Sequence, residues 1–304
     1  MPRCARIKSE DSIFHIIVKS ISEIFLFEDD SDKDMYISFM KHYQKIYHFK
    51  IYSYCFMSNH AHFIIDANGA DISKVMHGIN FRFAINFNKK HKRNGHLFQG
   101  RFKSKIIYDD RYIITASAYI HRNPLDIKKY KLSPEKYKYS SLPIFLGLKK
   151  DPFNLVDENF ILQLLGSNLK ESRKRYLYLI YSDNKVLEKL IESKTENTYH
   201  NSKRFILIRN FNEKEIVDFV SKKLDISIAN ICMKNNKNST KARALVVFLL
   251  RCLSNLSCKD ICKFLGDITQ SRVSSLCTVG VNIIENEKQY ANIVSDFASL
   301  HCVK

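Results

Sequence analysis

Two histidines separated by one residue form the first pattern in this sequence that could do chemistry. His60 and His62 lie in the stretch YCFMSNHAHFIIDA, between apolar runs at 51–57 and 63–65 that favour β-strands. Because alternate residues of a strand point to the same side, the two imidazoles would lie next to each other. Adjacent imidazoles can hold a divalent metal, and the competing interpretation is a pair of histidines on a half-exposed strand.

A tyrosine and an asparagine further along the chain could complete such a site. The pattern predicts a helix over 109–122 that Pro124 ends. Tyr119 and Asn123 are four residues apart, so they share one face near the end of this helix. If that face lies over the histidines, the phenol is a candidate nucleophile toward a phosphate, and the amide oxygen is a third metal ligand. A structural tyrosine at the helix end is the alternative, and Tyr112 is the competing nucleophile.

The elements that must position these residues follow a recognisable order. Strand and helix patterns alternate as β-α-β-β-α-β-α over the first 122 residues. This order predicts an α+β, ferredoxin-like domain, in which an antiparallel sheet is covered by helices on one face. The other face, or an edge of the sheet, would then be free to hold the two histidines.

The charge of the chain indicates nucleic acid as its partner. Among 304 residues there are 49 Lys and Arg against 31 Asp and Glu, a net charge of +18. Cationic side chains that neutralise phosphates release condensed counterions; a generally Lys-rich proteome is the alternative explanation. The segment 88–105 interleaves cations with Phe98 and Phe102, a pattern that suits a single strand with stacked bases. Its candidate backbone contacts are Lys92, Arg93, Arg101, Lys103 and Lys105.

Other classes of protein are disfavoured. The sequence has no apolar run long enough for a membrane span and no apolar core of a signal peptide near its start, so we expect a cytoplasmic protein that associates with the nucleoid. Its eight cysteines include no Cys-x-x-Cys pair, which argues against a zinc site and favours buried, reduced thiols.

The last third of the chain predicts a helix-turn-helix. An apolar helix at 241–252 is followed by a short helix at 257–265, a Gly266-Asp267 turn and a third helix at 269–277. A helical packing module is the alternative interpretation. Side chains on the exposed face of the third helix could reach base edges in the major groove; the candidates are Gln270, Ser271, Arg272 and Ser275.

Several motifs in register resemble a known family. The stretches MSNHAHFII, GHLFQGRFKS and AYIHRNPLD, followed by YKYSSLPIFLG, are similar in order and spacing to the REP-associated tyrosine transposases, a branch of the single-tyrosine HUH transposases. The resemblance covers roughly residues 13–147. Ser58 stands where these proteins usually have proline.

This resemblance implies an activity and roles for the candidate residues. Members are metal-dependent nucleases and strand transferases that act on single-stranded DNA at hairpin-flanked ends. By the family's motif, His60 and His62 bind Mg2+ or Mn2+, Asn123 is the third ligand, and Tyr119 forms a 5′-phosphotyrosine link and releases a 3′-OH. Members act as monomers or as homodimers, and the sequence leaves both open.

The C-terminal part resembles a different domain. Residues 213–286 are similar to the DNA-binding domain of the bacterial chromosomal replication initiator, which implies duplex DNA as a second partner. The initiator's Asp-His-Thr-Thr is replaced here by residues 269–272, Thr-Gln-Ser-Arg, so its target sequence does not carry over.

The sequence therefore predicts three parts. Residues 1–147 would form the HUH nuclease domain, 148–210 a helical connector, and 211–304 the helix-turn-helix domain. Two other functions are kept as alternatives: a DNA-binding regulator with an inactive HUH domain, and a replication-initiator or relaxase-type nickase. Strand transfer between two different ends would separate a transposase from a nickase.

Overall fold

The computed structural model describes residues 12–182, 204, 206–233 and 239–301. These residues divide into two compact units, one built mainly from residues up to Ile206 and the other mainly from those after it. Within the predicted connector, residues 183–203 and 205 lie outside the described residues. The domain boundaries at 147 and 210 stay a prediction.

The first unit contains a four-stranded antiparallel sheet. Its strands are β1 (Ile13–Lys19), β2 (Lys50–Phe56), β3 (His60–Asp66) and β4 (Lys103–Ile107), in the spatial order β2-β3-β1-β4. Helices α1 (Asp30–Tyr47) and α2 (Ile72–Lys90) alternate with the strands, and α3 (Asp110–Arg122) follows β4. This order and topology confirm the ferredoxin-like prediction.

One layer of helices packs on the sheet through an apolar and aromatic core. Helix α2 buries one apolar stripe at helical spacing, which consists of Ile72, Val75, Met76, Ile79, Phe83 and Phe87. The ring of Tyr36 on α1 stacks on Phe63 of β3, with ring centroids 5.8 Å apart. Since Phe63 points to this layer, the residues on either side of it in β3 point to the opposite face.

The sequence had suggested that the opposite face of the sheet is free of helices. In the structure, helices cover this face as well. Helices α3 and α5 (Glu158–Leu164) pack against β2, and α6 (Leu169–Tyr181) packs on α3; a short α4 (Leu142–Phe145) lies between α3 and α5 in the chain. The described helices of the predicted connector thus form part of the first unit. Their apolar residues, such as Ile161 and Tyr176, are buried because they cover this second face.

Side-chain caps set where the helices begin. The carboxylate of Asp29 accepts a hydrogen bond from the backbone N–H of Asp32, and the carboxylate of Asp32 accepts one from the backbone N–H of Asp29; this reciprocal cap starts α1. Asp109 caps α3 in the same way by accepting from the backbone of Tyr112. Asn123–Asp126 continues α3 as a 3-10 turn that contains Pro124.

The second unit is helical. It contains α7 (Glu213–Leu224), α8 (Ile228–Cys232), α9 (Thr240–Leu253), α10 (Cys258–Phe264), α11 (Gln270–Asn286) and α12 (Ile293–His301). Helix α9 is almost entirely buried and packs on α7 and α11. The predicted turn is present, since both Gly266 (φ +82°) and Asp267 (φ +55°) have left-handed backbone. Helix α11 extends past its predicted end at Cys277 because Gly280 and Val281 also pack in the core.

Among the described residues, no helix is both long enough and apolar enough to cross a membrane.

Candidate active site

The two histidines of the His-x-His pattern lie on one face of β3, at the end of the strand next to the β2–β3 turn. Their ring centroids are 4.9 Å apart. His62 is only 4% exposed, whereas His60 is half-buried. The pairing of β3 with β1 places Ile17 opposite His62 and Lys19 opposite His60. The predicted side-by-side arrangement of the imidazoles is therefore present.

The hydrogen bonds of His60 leave one of its nitrogens available. Its Nδ1 lies 2.6 Å from Asn59 Oδ1, which can only accept, so Nδ1 carries the proton of the neutral ring. Burial lowers the pKa of His60, which favours this neutral form. The Nε2 lone pair then faces Asn123 Oδ1 at 3.4 Å.

Asn123 is held so that its oxygen points to the histidines. The Nδ2 amide of this residue donates to the backbone carbonyls of Tyr119 (3.0 Å) and Ile120 (3.1 Å). Oδ1 of Asn123 and Nε2 of His60 are thus two acceptors that face each other. Neighbouring ligands of an octahedral cation lie about 3 Å apart, since each bond is about 2.1 Å long. This pair of atoms therefore fits a divalent metal.

Tyr119 lies beside the histidines and is open to solvent. Its ring centroid is 5.8 Å from that of His62, and the side chain is 46% exposed. Tyr112, the competing nucleophile, lies two turns earlier, where the Nζ of Lys105 is 4.8 Å from its ring. The structure thus brings Tyr119 next to the histidine pair and places Tyr112 beside a lysine.

A third histidine belongs to this cluster, and the sequence did not reveal it. His15 of β1 lies on the same face, with its Nε2 3.1 Å from His62 Nδ1 and its ring 6.2 Å from Tyr119. Burial, and then the charge of Lys105, lower the pKa of His15 to about 4. Burial, followed by the two neighbouring histidines, lowers the pKa of His62 to about 3. Both rings are neutral at pH 7.

Only some of the predicted DNA-contacting cations lie on the face of the sheet that carries His15, His60 and His62, here called the histidine face. The pairing of β4 with β1 places Lys103 opposite Ile17 and Lys105 opposite His15, and both lysines are exposed. Directly paired residues of antiparallel strands point to the same face. Lys19 adds an exposed cation opposite His60 that the sequence analysis missed.

Two of the other predicted cations lie outside this face. Lys92 and Arg93 follow the end of α2, in the helical layer on the other side of the sheet, and Arg93 folds back to donate to Asn88 Oδ1 (3.3 Å). Arg101 is exposed in the loop before β4.

The expectation that aromatic residues of this loop stack on bases is wrong for Phe102, and for Phe98 it stays a prediction. Phe102 is buried, and Phe98 is half-buried, with its ring 6.4 Å from Phe83 of α2. Backbone pairing explains this, because Leu97 and Gln99 bond to the end of β1 and hold the loop against the sheet. The ring of Phe102 therefore contributes to the core.

A second group of metal-ligating side chains has a different role. Asp29, Asp32 and His91 bring their ligand atoms within 4.8 Å of one another, and by type these residues could hold a metal ion. The ammonium of Lys90, however, lies 2.7 Å from both Asp29 Oδ2 and Asp32 Oδ1. A cation therefore already occupies this cluster, and Asp32, which is fully buried, needs that charge.

The C-terminal candidates lie on an exposed helix surface. Thr269 caps α11 by accepting from the backbone of Arg272. The first turns of α11 present four exposed side chains, those of Gln270, Ser271, Arg272 and Ser275. The guanidinium of Arg243 on α9 is buried and donates to the carbonyl of Leu265 (3.1 Å), which fixes the turn before α11. The sequence prediction of their exposure is confirmed, and their contact with DNA stays a prediction.

Comparisons with known proteins agree with the N-terminal motifs. Residues 8–123 match the family described as "Transposase IS200 like". A solved structure entitled "Structure of the REP associates tyrosine transposase bound to a REP hairpin" is 16% identical, with a TM-score of 0.42, over 52% of this chain and 92% of that one. A search of curated proteins finds no significant match. The match of residues 8–123 to this family model agrees with the resemblance drawn from the sequence motifs.

Proposed function

We propose that this protein is a metal-dependent endonuclease and strand transferase that cleaves and rejoins single-stranded DNA through a covalent bond to Tyr119. The observation that carries the proposal is the position of the Tyr119 ring, 5.8 Å from the ring of His62 and accessible to solvent. The match of residues 8–123 to a transposase family model supports the same activity.

The metal site would consist of His60, His62 and Asn123. The facing acceptor atoms of His60 and Asn123, and the neutral state of both histidines, support this assignment. Imidazole and amide ligands leave further positions for phosphate oxygens and water, as Mg2+ or Mn2+ prefer. When bound, such an ion polarises the scissile phosphate and neutralises the charge that develops on it.

Tyr119 would be the nucleophile. Its phenol oxygen attacks the phosphorus and loses its proton, while the bond from phosphorus to the 3′ oxygen breaks. The leaving oxygen takes up a proton and becomes a 3′-OH, and the 5′ phosphate stays on the tyrosine. The phosphotyrosine conserves the energy of the broken diester, so that another 3′-OH can reseal it.

Charged residues on the histidine face would hold the DNA backbone. Lys19, Lys103 and Lys105 are exposed on this face, next to the three histidines. Contacts to phosphates position a strand without reading its sequence. Single-stranded hairpin DNA, as in the REP-associated branch, is the substrate that we propose.

The C-terminal unit would bind duplex DNA. The support is the helix-turn-helix order of α10 and α11 and the exposed polar side chains at the start of α11. Replacing Arg272 with alanine should then weaken duplex binding and leave cleavage of an isolated single strand unchanged.

Covalent trapping tests the proposed activity. The full chain is incubated with labelled single-stranded hairpin DNA and Mn2+, and adducts that survive denaturation are counted. We expect an adduct with the wild type and with Tyr112→Phe, and none with Tyr119→Phe or His62→Ala. An adduct that persists in Tyr119→Phe contradicts the assignment of the nucleophile. No adduct with any substrate, together with tight duplex binding, would favour a regulator.

A further inference from the structure

His15 is a buried neighbour of the proposed metal ligands, and no role in the reaction has so far been given to it. Its ring lies 5.3 Å from that of His62, tilted by 32°, and its Nε2 is 3.1 Å from His62 Nδ1. The contact joins adjacent strands, since His15 and Ile17 of β1 pair with Ile64 and His62 of β3. A role of His15 in this site rests on the proposed function, because His62 is one of the proposed metal ligands.

A hydrogen bond between two imidazole nitrogens needs one proton and one lone pair. If His15 were the donor, His62 Nδ1 would be the acceptor, and its Nε2 would carry a proton and could not bind a metal. If His62 is the donor, its Nε2 keeps a free lone pair. A metal-ligating His62 is therefore compatible with only one direction of this bond.

We propose that His15 is the positioning residue of the metal site: its Nε2 accepts the hydrogen bond from His62 Nδ1–H and so fixes the tautomer and the orientation of the ligand ring. Metal-bound histidines commonly donate their second N–H to such a partner, which also makes the ligand more basic. Here a neutral imidazole takes the place of the usual carboxylate or carbonyl group.

Two observations favour this role over that of a third imidazole ligand. The nitrogen of His15 nearest to His62 is directed at Nδ1, the atom that the metal would not use. Among the described residues, His15, His60 and His62 also do not form a group in which one nitrogen from each ring lies within 4.8 Å of both others, whereas the ligand atoms of Asp29, Asp32 and His91 do form such a group.

A matching pattern is found at His60, where Asn59 Oδ1 accepts from Nδ1. Both proposed ligand histidines thus have their Nδ1 bonded to a neighbouring side chain and their Nε2 available. The two acceptors differ, because Asn59 lies in the β2–β3 turn and His15 comes from another strand.

Nitrogen-15 NMR of the metal-free protein tests the tautomer directly. We expect His62 to be protonated at Nδ1 and unprotonated at Nε2 in the wild type. His15→Gln should keep this state, because the side-chain oxygen of glutamine can accept the same bond. His15→Leu, which has no acceptor, should give a mixture of tautomers. A wild-type His62 protonated at Nε2 would overturn the proposal.

Mn2+ titration of the same proteins supplies the second readout. His15→Leu should bind Mn2+ about 10- to 100-fold more weakly, the usual effect of losing such a partner, and His15→Gln should restore most of the affinity. His77→Leu, a substitution of an exposed histidine on α2, is the control and should have no effect. The positioning role would be contradicted if His15→Leu folds and binds Mn2+ as tightly as the wild type. It would also be contradicted if His15→Gln loses as much Mn2+ affinity as His15→Leu does.

These results are separable from the test of the proposed function. If the wild type binds Mn2+ with His62 in the expected tautomer but forms no DNA adduct, the strand-transfer activity is wrong and the role of His15 in the metal site stands. If an adduct forms at Tyr119 and His15→Leu retains both tautomer and affinity, the activity stands and the role of His15 is wrong.

Discussion

Nε2 of His60 and Oδ1 of Asn123 face each other at 3.4 Å, and both atoms are hydrogen-bond acceptors. Neither can satisfy the other, because the proton of His60 is on Nδ1 and the amide protons of Asn123 are bonded to backbone carbonyls. A cation bound between them would accept a lone pair from each of the two atoms.

Replacing Asn123 with alanine should therefore weaken Mn2+ binding. We expect a loss of about tenfold, equal to about 1.4 kcal/mol, measured by Mn2+ titration. Asn86→Ala is a matched control, since Asn86 also donates from Nδ2 to the carbonyl four residues earlier but lies on α2. Equal affinities of Asn123→Ala and Asn86→Ala would show that Asn123 is not a ligand.

The cluster of Asp29, Asp32 and His91 should not bind a metal in solution. The Nζ atom of Lys90 lies within 2.7 Å of both carboxylates and takes the place of a cation. Asp29→Asn keeps a good helix cap and should leave the number of bound Mn2+ ions unchanged, whereas His60→Ala should remove one. A lower stoichiometry in Asp29→Asn would show that the metal competes with Lys90.

Much of the first unit could be predicted because its signals are local. The buried stripe of α2 follows helical spacing from Ile72 to Phe87, and the His-x-His strand and its apolar flanks alternate as strands do. Tyr119 and Asn123 share a face because of their spacing alone. The strand order follows from this sequence of elements, since few topologies can accommodate it.

Features set by cross-strand register could not be predicted. His15 reaches His62 only because β1 pairs with β3 in one particular register, and nothing near His15 in the chain indicates this. The same pairing brings Lys19 to the site. Phe102 was misjudged because cations surround it in sequence, whereas the fold of its loop turns it inward.

The buried His121 should make stability depend on pH. Its Nδ1 lies 2.7 Å from Tyr176 Oη and its Nε2 2.7 Å from Ser141 Oγ, and burial lowers its pKa to about 3. The unfolded chain takes up this proton near pH 6.5, but the folded chain does not until about pH 3. Between these values the free energy of unfolding should fall with falling pH, by up to about 1.4 kcal/mol per pH unit from this residue.

Urea unfolding at several pH values, with a chelator present, measures this contribution. His121→Gln removes the titrating group, so its free energy of unfolding should decline less steeply below pH 6.5 than that of the wild type. Parallel pH profiles of the two proteins would show that His121 takes up its proton equally in the folded and unfolded states.

Gly280 permits close contact of α11 with α9. A Cβ atom at this position would lie 2.6 Å from the carbonyl oxygen of Ala244 and 2.9 Å from Cβ of Phe248. Gly280→Ala should therefore destabilise the C-terminal unit by about 1–3 kcal/mol, as overpacking does. Gly100→Ala is the control, because a Cβ there has no atom within 4 Å, and its melting temperature should match that of the wild type. Equal melting temperatures of the two variants would mean that α9 and α11 can move apart without a loss of stability.

The site of DNA attachment tests the central claim most directly. The wild-type adduct is digested with trypsin and nuclease, and the peptide of residues 112–122, which contains both Tyr112 and Tyr119, is fragmented in a mass spectrometer. We expect the remaining 5′ phosphate on Tyr119, the ring beside His15 and His62. A phosphate on Tyr112, or on any residue outside this peptide, would contradict the proposed active site.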